Sequence, residues 1–125
     1  MNGWIFIDKP KNITSFKVIK RLKKVLNIKK IGHTGTLDPF ATGILAIALG
    51  EATKSIRYLK QNKVYKFNVV FGELKDTDDI TGKTIKNSNI LPTLAEINQC
   101  IENFIGKHRQ IPPQFSAVKV NGKRA

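Results

Sequence analysis

Apolar residues change their spacing several times along this chain, and each change marks an element. Trp4-Ile5-Phe6-Ile7 is a short β-rich run closed by Asp8-Lys9-Pro10, which predicts a first strand. Thr14 or Ser15 can cap a following helix whose apolar positions Phe16, Ile19, Leu22, Val25 and Leu26 keep helical spacing. Lys17, Lys20, Arg21, Lys23 and Lys24 occupy the rest of that helix, so it should bury one stripe and present a basic flank. The run Ile44 to Leu49 is continuously apolar, and Gly50-Glu51-Ala52-Thr53-Lys54 leads into a short helix expected through Leu59. From Val64 the period becomes two. Tyr65, Phe67, Val69 and Phe71 fall on one face with Lys66 and Asn68 on the other, the pattern of a half-buried strand.

Residues 73–83 read as an acidic, Thr-rich loop ending in Thr81-Gly82. Thr93-Leu94-Ala95-Glu96 is a capping-box pattern, predicting a helix with Leu94, Ile97, Ile101 and Phe104 inward and Gly106 beyond its end. Phe115 to Val120 then runs into Asn121-Gly122, a two-residue hairpin signal. Only three residues follow, almost no return strand, which reads as a domain cut partway. The sequence carries no internal repeat or low-complexity tract.

At 125 residues the chain is expected to be one domain or part of one. Twenty-two Lys and Arg against nine Asp and Glu leave +13, which makes a polyanion the default partner and a solubilising basic surface the plain alternative. The distribution favours the first. Residues 1–37 hold nine basic side chains and one acid, Asp8, while four of the nine acids lie between Glu73 and Asp79. Cys100 is the only cysteine, so no disulfide can form within the chain and a reducing cytoplasm fits. No segment approaches the ~20 apolar residues of a membrane span, and the start has no secretory pattern. A soluble, cytoplasmic protein without a membrane partner is expected.

The chemistry concentrates in Gly32-His33-Thr34-Gly35-Thr36-Leu37-Asp38-Pro39-Phe40-Ala41-Thr42-Gly43. Twelve residues hold three glycines, three threonines, a proline, a histidine and one carboxylate, more turn formers than a connector needs. An Asp in a Gly-rich loop commonly does no more than stabilise a turn. Asp38, however, is the only acid between Asp8 and Glu51 in a chain otherwise suited to polyanions, where it would repel phosphate. A lone carboxylate there suits nucleophilic or general-base work on a bound base. His33 fits an RNA contact, an orienting donor or a loop residue without a role. Tyr65 fits either a core aromatic or a stacking platform under an extruded base.

Several other patterns fail. Gly32-His33-Thr34-Gly35 has the form of a KH-domain clamp, but Pro39 denies it the following helix. Gly82-Lys83-Thr84 mimics the end of a phosphate-binding loop, yet Thr77 stands where Gly is required. Asp76, Asp78 and Asp79 lack the glycine and glutamate of a calcium loop, and His33, Cys100 and His108 have no zinc spacing. No metal and no cofactor are implied.

These blocks together resemble the bacterial TruB-type tRNA pseudouridine synthases. The likeness rests on Gly3 to Pro10, Thr14-Ser15, the Gly32–Gly43 signature, Leu49-Gly50-Glu51-Ala52-Thr53-Lys54, Lys63-Val64-Tyr65, the Gly72–Gly82 loop and Ile111 to Gly122. Lys75, where the family usually has Thr, departs from it. The resemblance implies an α+β fold with a mixed, mostly antiparallel sheet flanked by helices, of which residues 1–125 would be the N-terminal portion of the catalytic domain. It implies isomerisation of a uridine in the T stem-loop of tRNA, without cofactor and with no obligatory protein partner. Asp38 and Tyr65 would be catalytic. His33, Gly32, Thr34 and Gly35 would meet RNA, together with Lys9, Lys20, Lys54 and Lys63. The family's C-terminal remainder and RNA-binding domain are absent from this sequence, so the 125-residue piece alone is expected to be inactive. Two other readings stay open: a dyskerin-type, guide-RNA-dependent synthase, and a non-catalytic RNA-binding or tRNA-folding module.

Overall fold

In the computed structural model, which describes residues 1–59, 62–110, 119–120 and 123–124, the apolar run before Gly50 forms the centre of a three-stranded antiparallel sheet. Strand β1 (Gly3–Lys9) and strand β2 (Ile31–His33) flank strand β3 (Gly43–Leu49) on either side. The central position accounts for much of the hydrophobicity of β3: one face is covered along its length and the other at Ala48, while Ile44 on that second face stays 67% exposed. Leu45, Ile47 and Leu49 share one face with Ile5, Ile7 and Ile31 through the register Ile5↔Ile47, Ile7↔Leu45 and Ile31↔Leu49. Helix α1 (Ser15–Val25) covers that face, placing Val18 in the buried cluster with Leu22 and Leu26 packed against it. Each fully buried aliphatic side chain there contributes roughly 1.5–3 kcal/mol of transfer free energy.

The opposite face carries Ala48 and Gly32, paired across the sheet, and meets a 3₁₀ helix at Gly50–Tyr58. A Cβ on Gly32 would lie 3.0 Å from Ile56 Cδ1, so the missing side chain is what lets β2 approach this helix. The first turn of the 3₁₀ helix lacks a cap from Leu49. Asn2 supplies one from the far end of the sequence, its Oδ1 accepting from Glu51 N at 2.9 Å. These elements make up the first of two units, Met1–Tyr65; the second is Lys66–Ala125.

The second unit holds a hairpin of strand β4 (Glu73–Lys75) and strand β5 (Thr84–Asn87), helix α2 (Leu94–Glu102), and a two-residue pair of strand β6 (Lys119–Val120) with strand β7 (Lys123–Arg124). The register Val120↔Lys123 leaves two residues between β6 and β7, as the Asn-Gly signal requires. Residues 111–118, including the expected strand at Phe115–Val118, lie outside the described residues. The architecture is α+β, and every strand pairing among the described residues is antiparallel. No described helix is long and apolar enough to cross a membrane.

Four sequence expectations are corrected. Residues 64–71 alternate as a strand should, but no described segment pairs with them. Tyr65, Phe67, Val69 and Phe71 remain 45–76% exposed. Alternation prepares a face for burial; only a ladder and a covering layer make a strand of it. In α1 the expected stripe is met in part: Ile19, Leu22 and Leu26 are half-buried, but Ser15 and Val18 are inside while Phe16 and Val25 are exposed. The acidic loop is, in part, the β4–β5 hairpin itself. Helix α2 forms with its capping box, yet among its expected inward residues only Ile97 is even half-buried.

Candidate functional site

The Gly32–Gly43 segment leaves the sheet at His33, crosses the end of α1 and returns as β3. Thr34 N donates to Ala46 O at 3.1 Å, carrying the β2–β3 ladder one residue past the strand. The backbone around Asp38 is then held from two directions. On its N-terminal side, the buried Ser15 hydroxyl accepts from Leu37 N at 2.9 Å and donates to Leu37 O at 3.0 Å. On its C-terminal side, Pro39 O accepts from Asn12 N at 2.7 Å and from Lys9 Nζ at 3.2 Å. Ala41 N closes the turn onto Asp38 O at 3.1 Å. The Asp38 side chain itself is exposed. An exposed carboxylate thus stands between two anchored neighbours.

The anchors follow from local sequence. Asn12 takes the left-handed conformation, φ 63°, which Asn tolerates better than most residues. That turn brings its N–H and the Lys9 side chain onto the same carbonyl. Lys9 is completely buried and donates to Pro10 O at 3.0 Å and Ile13 O at 2.8 Å as well as to Pro39 O. Three carbonyl dipoles therefore solvate its ammonium in place of water. This corrects the expectation that Lys9 meets RNA: it has no surface to offer a phosphate.

The other expected site residues are spread over the first unit. His33, half-buried, lies on the α1-facing side of the sheet opposite Ile47, and among the described residues its buried Nδ1 has no hydrogen-bond partner. Gly35 carries the Lys63 side chain so closely that a Cβ would sit 2.7 Å from Lys63 Cε and 3.0 Å from its Nζ. Lys63 and the signature loop are thereby brought together. Gly32 faces the 3₁₀ helix, so its role in the described structure is packing. Tyr65 is 55% exposed, two residues beyond Lys63.

Lys20 projects from α1, where Ile13, Lys17, Lys20, Arg21 and Lys24 line a shallow groove. Lys54 lines a second hollow with Thr53, Ile56 and Arg57. Neither includes Asp38. Lys54 also pairs with Glu51, which in turn meets Lys30 at 3.2 Å. Glu51 is held below its ordinary value by the Lys54 hydrogen bond first and by Lys30 next, and Lys54 is raised by Glu51. This carboxylate partly neutralises two of the cations available to an anionic partner.

In the second unit, the acidic turn satisfies itself. Asp79 accepts from Thr77 Oγ1, Thr81 N and Thr81 Oγ1, with the Thr81 hydroxyl the chief cause of its lowered pKa. Asp76 accepts from Lys83 N at 2.8 Å. Gly82 is required there, since a Cβ would collide with Thr77 Oγ1 and Asp76 Oδ1.

Sequence reading did not single out Ser15 as a site residue, nor Asn12. The available signal was Thr14-Ser15 itself: two capping residues stand before one helix, and only one can serve as its cap.

Residues 23–125 match the family model described as TruB family pseudouridylate synthase, N-terminal domain. A tRNA pseudouridine synthase B from Ehrlichia ruminantium is 56% identical across the whole chain, which covers 43% of that relative. One from Roseobacter denitrificans is 48% identical, with 42% of its length covered. The chain therefore spans about two fifths of the length of these curated relatives. A chain of a solved Cbf5–Nop10–Gar1 complex superimposes with a TM-score of 0.59 and 31% identity, covering 94% of this chain and 31% of its own.

Proposed function

The chain belongs to the TruB family of pseudouridylate synthases, and from that premise we propose that it serves the isomerisation of one uridine in the T stem-loop of tRNA. Asp38 is the group that acts on the flipped base. The observation that carries this reading is an exposed carboxylate whose backbone neighbours, Leu37 and Pro39, are both anchored. A reacting group has to be presented in one pose, and mobility of its loop would cost rate.

In the proposed reaction the bond between uridine N1 and the ribose C1′ breaks, the base turns, and C5 joins C1′. The hydrogen leaves C5 and N1 takes up a proton, so atoms balance without any redox partner. Asp38 attacks the uridine or starts its detachment. Tyr65 stacks near the base and assists removal of the C5 proton; His33 contacts RNA beside the flipped site. Flipping costs a few kcal/mol, which aromatic stacking and loop contacts can offset. Lys20, Lys54 and Lys63 meet phosphates, with Thr34 and Gly35 beside the flipped nucleotide. The cytoplasm is the proposed compartment, and tRNA the proposed partner.

The names of the relatives, at 56% and 48% identity over the full chain, favour a tRNA substrate. The Cbf5 likeness, at 31%, keeps a synthase working within a protein complex as the second reading.

The test is tritium release from T-loop RNA labelled at uridine C5. It is run with this chain and with the same chain continued by the remainder of the Ehrlichia ruminantium relative, each as wild type and as Asp38→Ala. Release by the continued wild type and its loss in Asp38→Ala are expected. RNA binding without release in either form would leave a non-catalytic binding module in its place.

A further inference from the structure

We propose that Ser15 is a positioning residue for Asp38, acting through both backbone groups of Leu37. The inference deepens the catalytic reading of Asp38 and rests on it.

Ser15 is the first residue of α1, 1% exposed, and lies 22 residues from the loop it touches. A serine at a helix start ordinarily caps the helix, but that position belongs to Thr14, whose side chain accepts from Lys17 N at 3.1 Å. The Ser15 hydroxyl is therefore free for another use. It has one proton to donate and lone pairs to accept, and it spends both on Leu37: it accepts from Leu37 N at 2.9 Å and donates to Leu37 O at 3.0 Å. Binding the N–H and the C=O of one residue fixes both peptide planes that flank it, and the second of these leads directly into Asp38. A single bond would leave the segment free to pivot.

Burial makes this clamp selective. Leu37 N and O, half-buried, lose their partners if the hydroxyl is removed, and a polar group shielded from water and left unpaired is costly. The face of α1 that meets the sheet is otherwise apolar, with Val18, Leu22 and Leu26. A hydroxyl in that row contributes nothing to hydrophobic burial. Its presence there is accounted for by the loop it holds.

The experiment compares Ser15→Ala, Ser15→Thr and Thr14→Ala. Thr14→Ala removes the cap of the same helix and leaves the clamp in place, so it reports the effect of a destabilised α1 alone. Amide exchange is measured on this chain. The proposal expects the Leu37 amide to exchange at least tenfold faster in Ser15→Ala while the Leu45 and Ile47 amides keep their protection, with Thr14→Ala leaving Leu37 unchanged. Turnover is measured in whichever form releases tritium. There kcat in Ser15→Ala should fall by about 10²-fold at unchanged KM, the loss expected of a displaced catalytic group. Ser15→Thr, which keeps the hydroxyl, should recover most of it.

Equal Leu37 exchange in wild type and Ser15→Ala overturns the proposal, even if no form turns over. So does a kcat that Ser15→Ala and Thr14→Ala lower alike, since the effect would then be helix stability. If Asp38→Ala retains full release, the catalytic reading of Asp38 fails and the proposal falls with it. That outcome is recognisable because it appears in wild-type Ser15 background.

Discussion

Lys9 shows what burial does to a charged residue that a linear reading assigns to the surface. Its ammonium has exchanged water for the carbonyls of Pro10, Ile13 and Pro39. Charge-assisted bonds of this kind are stronger than neutral ones, and removing the donor leaves buried acceptors behind. Lys9→Met should therefore destabilise the chain by about 2–4 kcal/mol, read as a lower urea midpoint. Its affinity for RNA per folded molecule should be unchanged. A Lys9 that met phosphate would give the reverse, weakened binding at unaltered stability. Asp38 was legible in the sequence because its isolation among cations and its setting between Leu37 and Pro39 are linear facts. The partners of its neighbours were not legible, since Ser15 and Leu37 are 22 positions apart and nothing local connects them.

At the scale of elements, spacing predicted β1, α1 and α2, and capping predicted where the helices start. Thr93 caps as its sequence context requires, and of the two candidates Thr14 and Ser15 it is Thr14 that caps α1. The capping box of α2 also makes that helix sensitive to pH. Glu96 accepts from Thr93 N and from the Thr93 hydroxyl, which hold its carboxyl below the ordinary value, the backbone bond being the larger cause. A depressed carboxyl stabilises the fold above its unfolded pKa, and that contribution is lost as pH falls through the lower folded value. The hydrogen-bonded Thr93, Glu96 and Ile97 amides should hold their protection at neutral pH and lose it on acidification below the ordinary carboxylate range. Glu96→Gln should flatten this dependence. Protection that is insensitive to pH in the wild type would show that the box contributes nothing to α2. Periodicity was less informative about facing: α1 buries Ser15 and Val18 and leaves Phe16 and Val25 exposed, and residues 64–71 alternate without a ladder among the described residues.

For the molecule as a whole, charge is unevenly shared. Residues 1–65 carry thirteen basic and three acidic side chains, a net +10, whereas residues 66–125 carry nine and six, a net +3. The excess lies in the unit that bears Asp38. On α1 the cations Lys17, Lys20 and Lys24 recur at three- and four-residue steps and line one groove, so they share a helix flank. The logarithm of affinity for single-stranded T-loop RNA should fall linearly with the logarithm of salt. Replacing these three lysines by Gln should lower the slope by about 2 if each neutralises one phosphate. An unchanged slope would remove this flank from the RNA surface. The sequence by itself determined the family signature, the basic character, the helix caps and the place of the one isolated carboxylate, because each depends on residues adjacent in the chain or on composition. Tertiary structure alone decided that Lys9 is buried, that Ser15 holds Leu37, that Asn2 caps a helix begun at Gly50, and that Lys63 lies on Gly35. Those are contacts between distant positions, and they exist only once the sheet has brought the segments together.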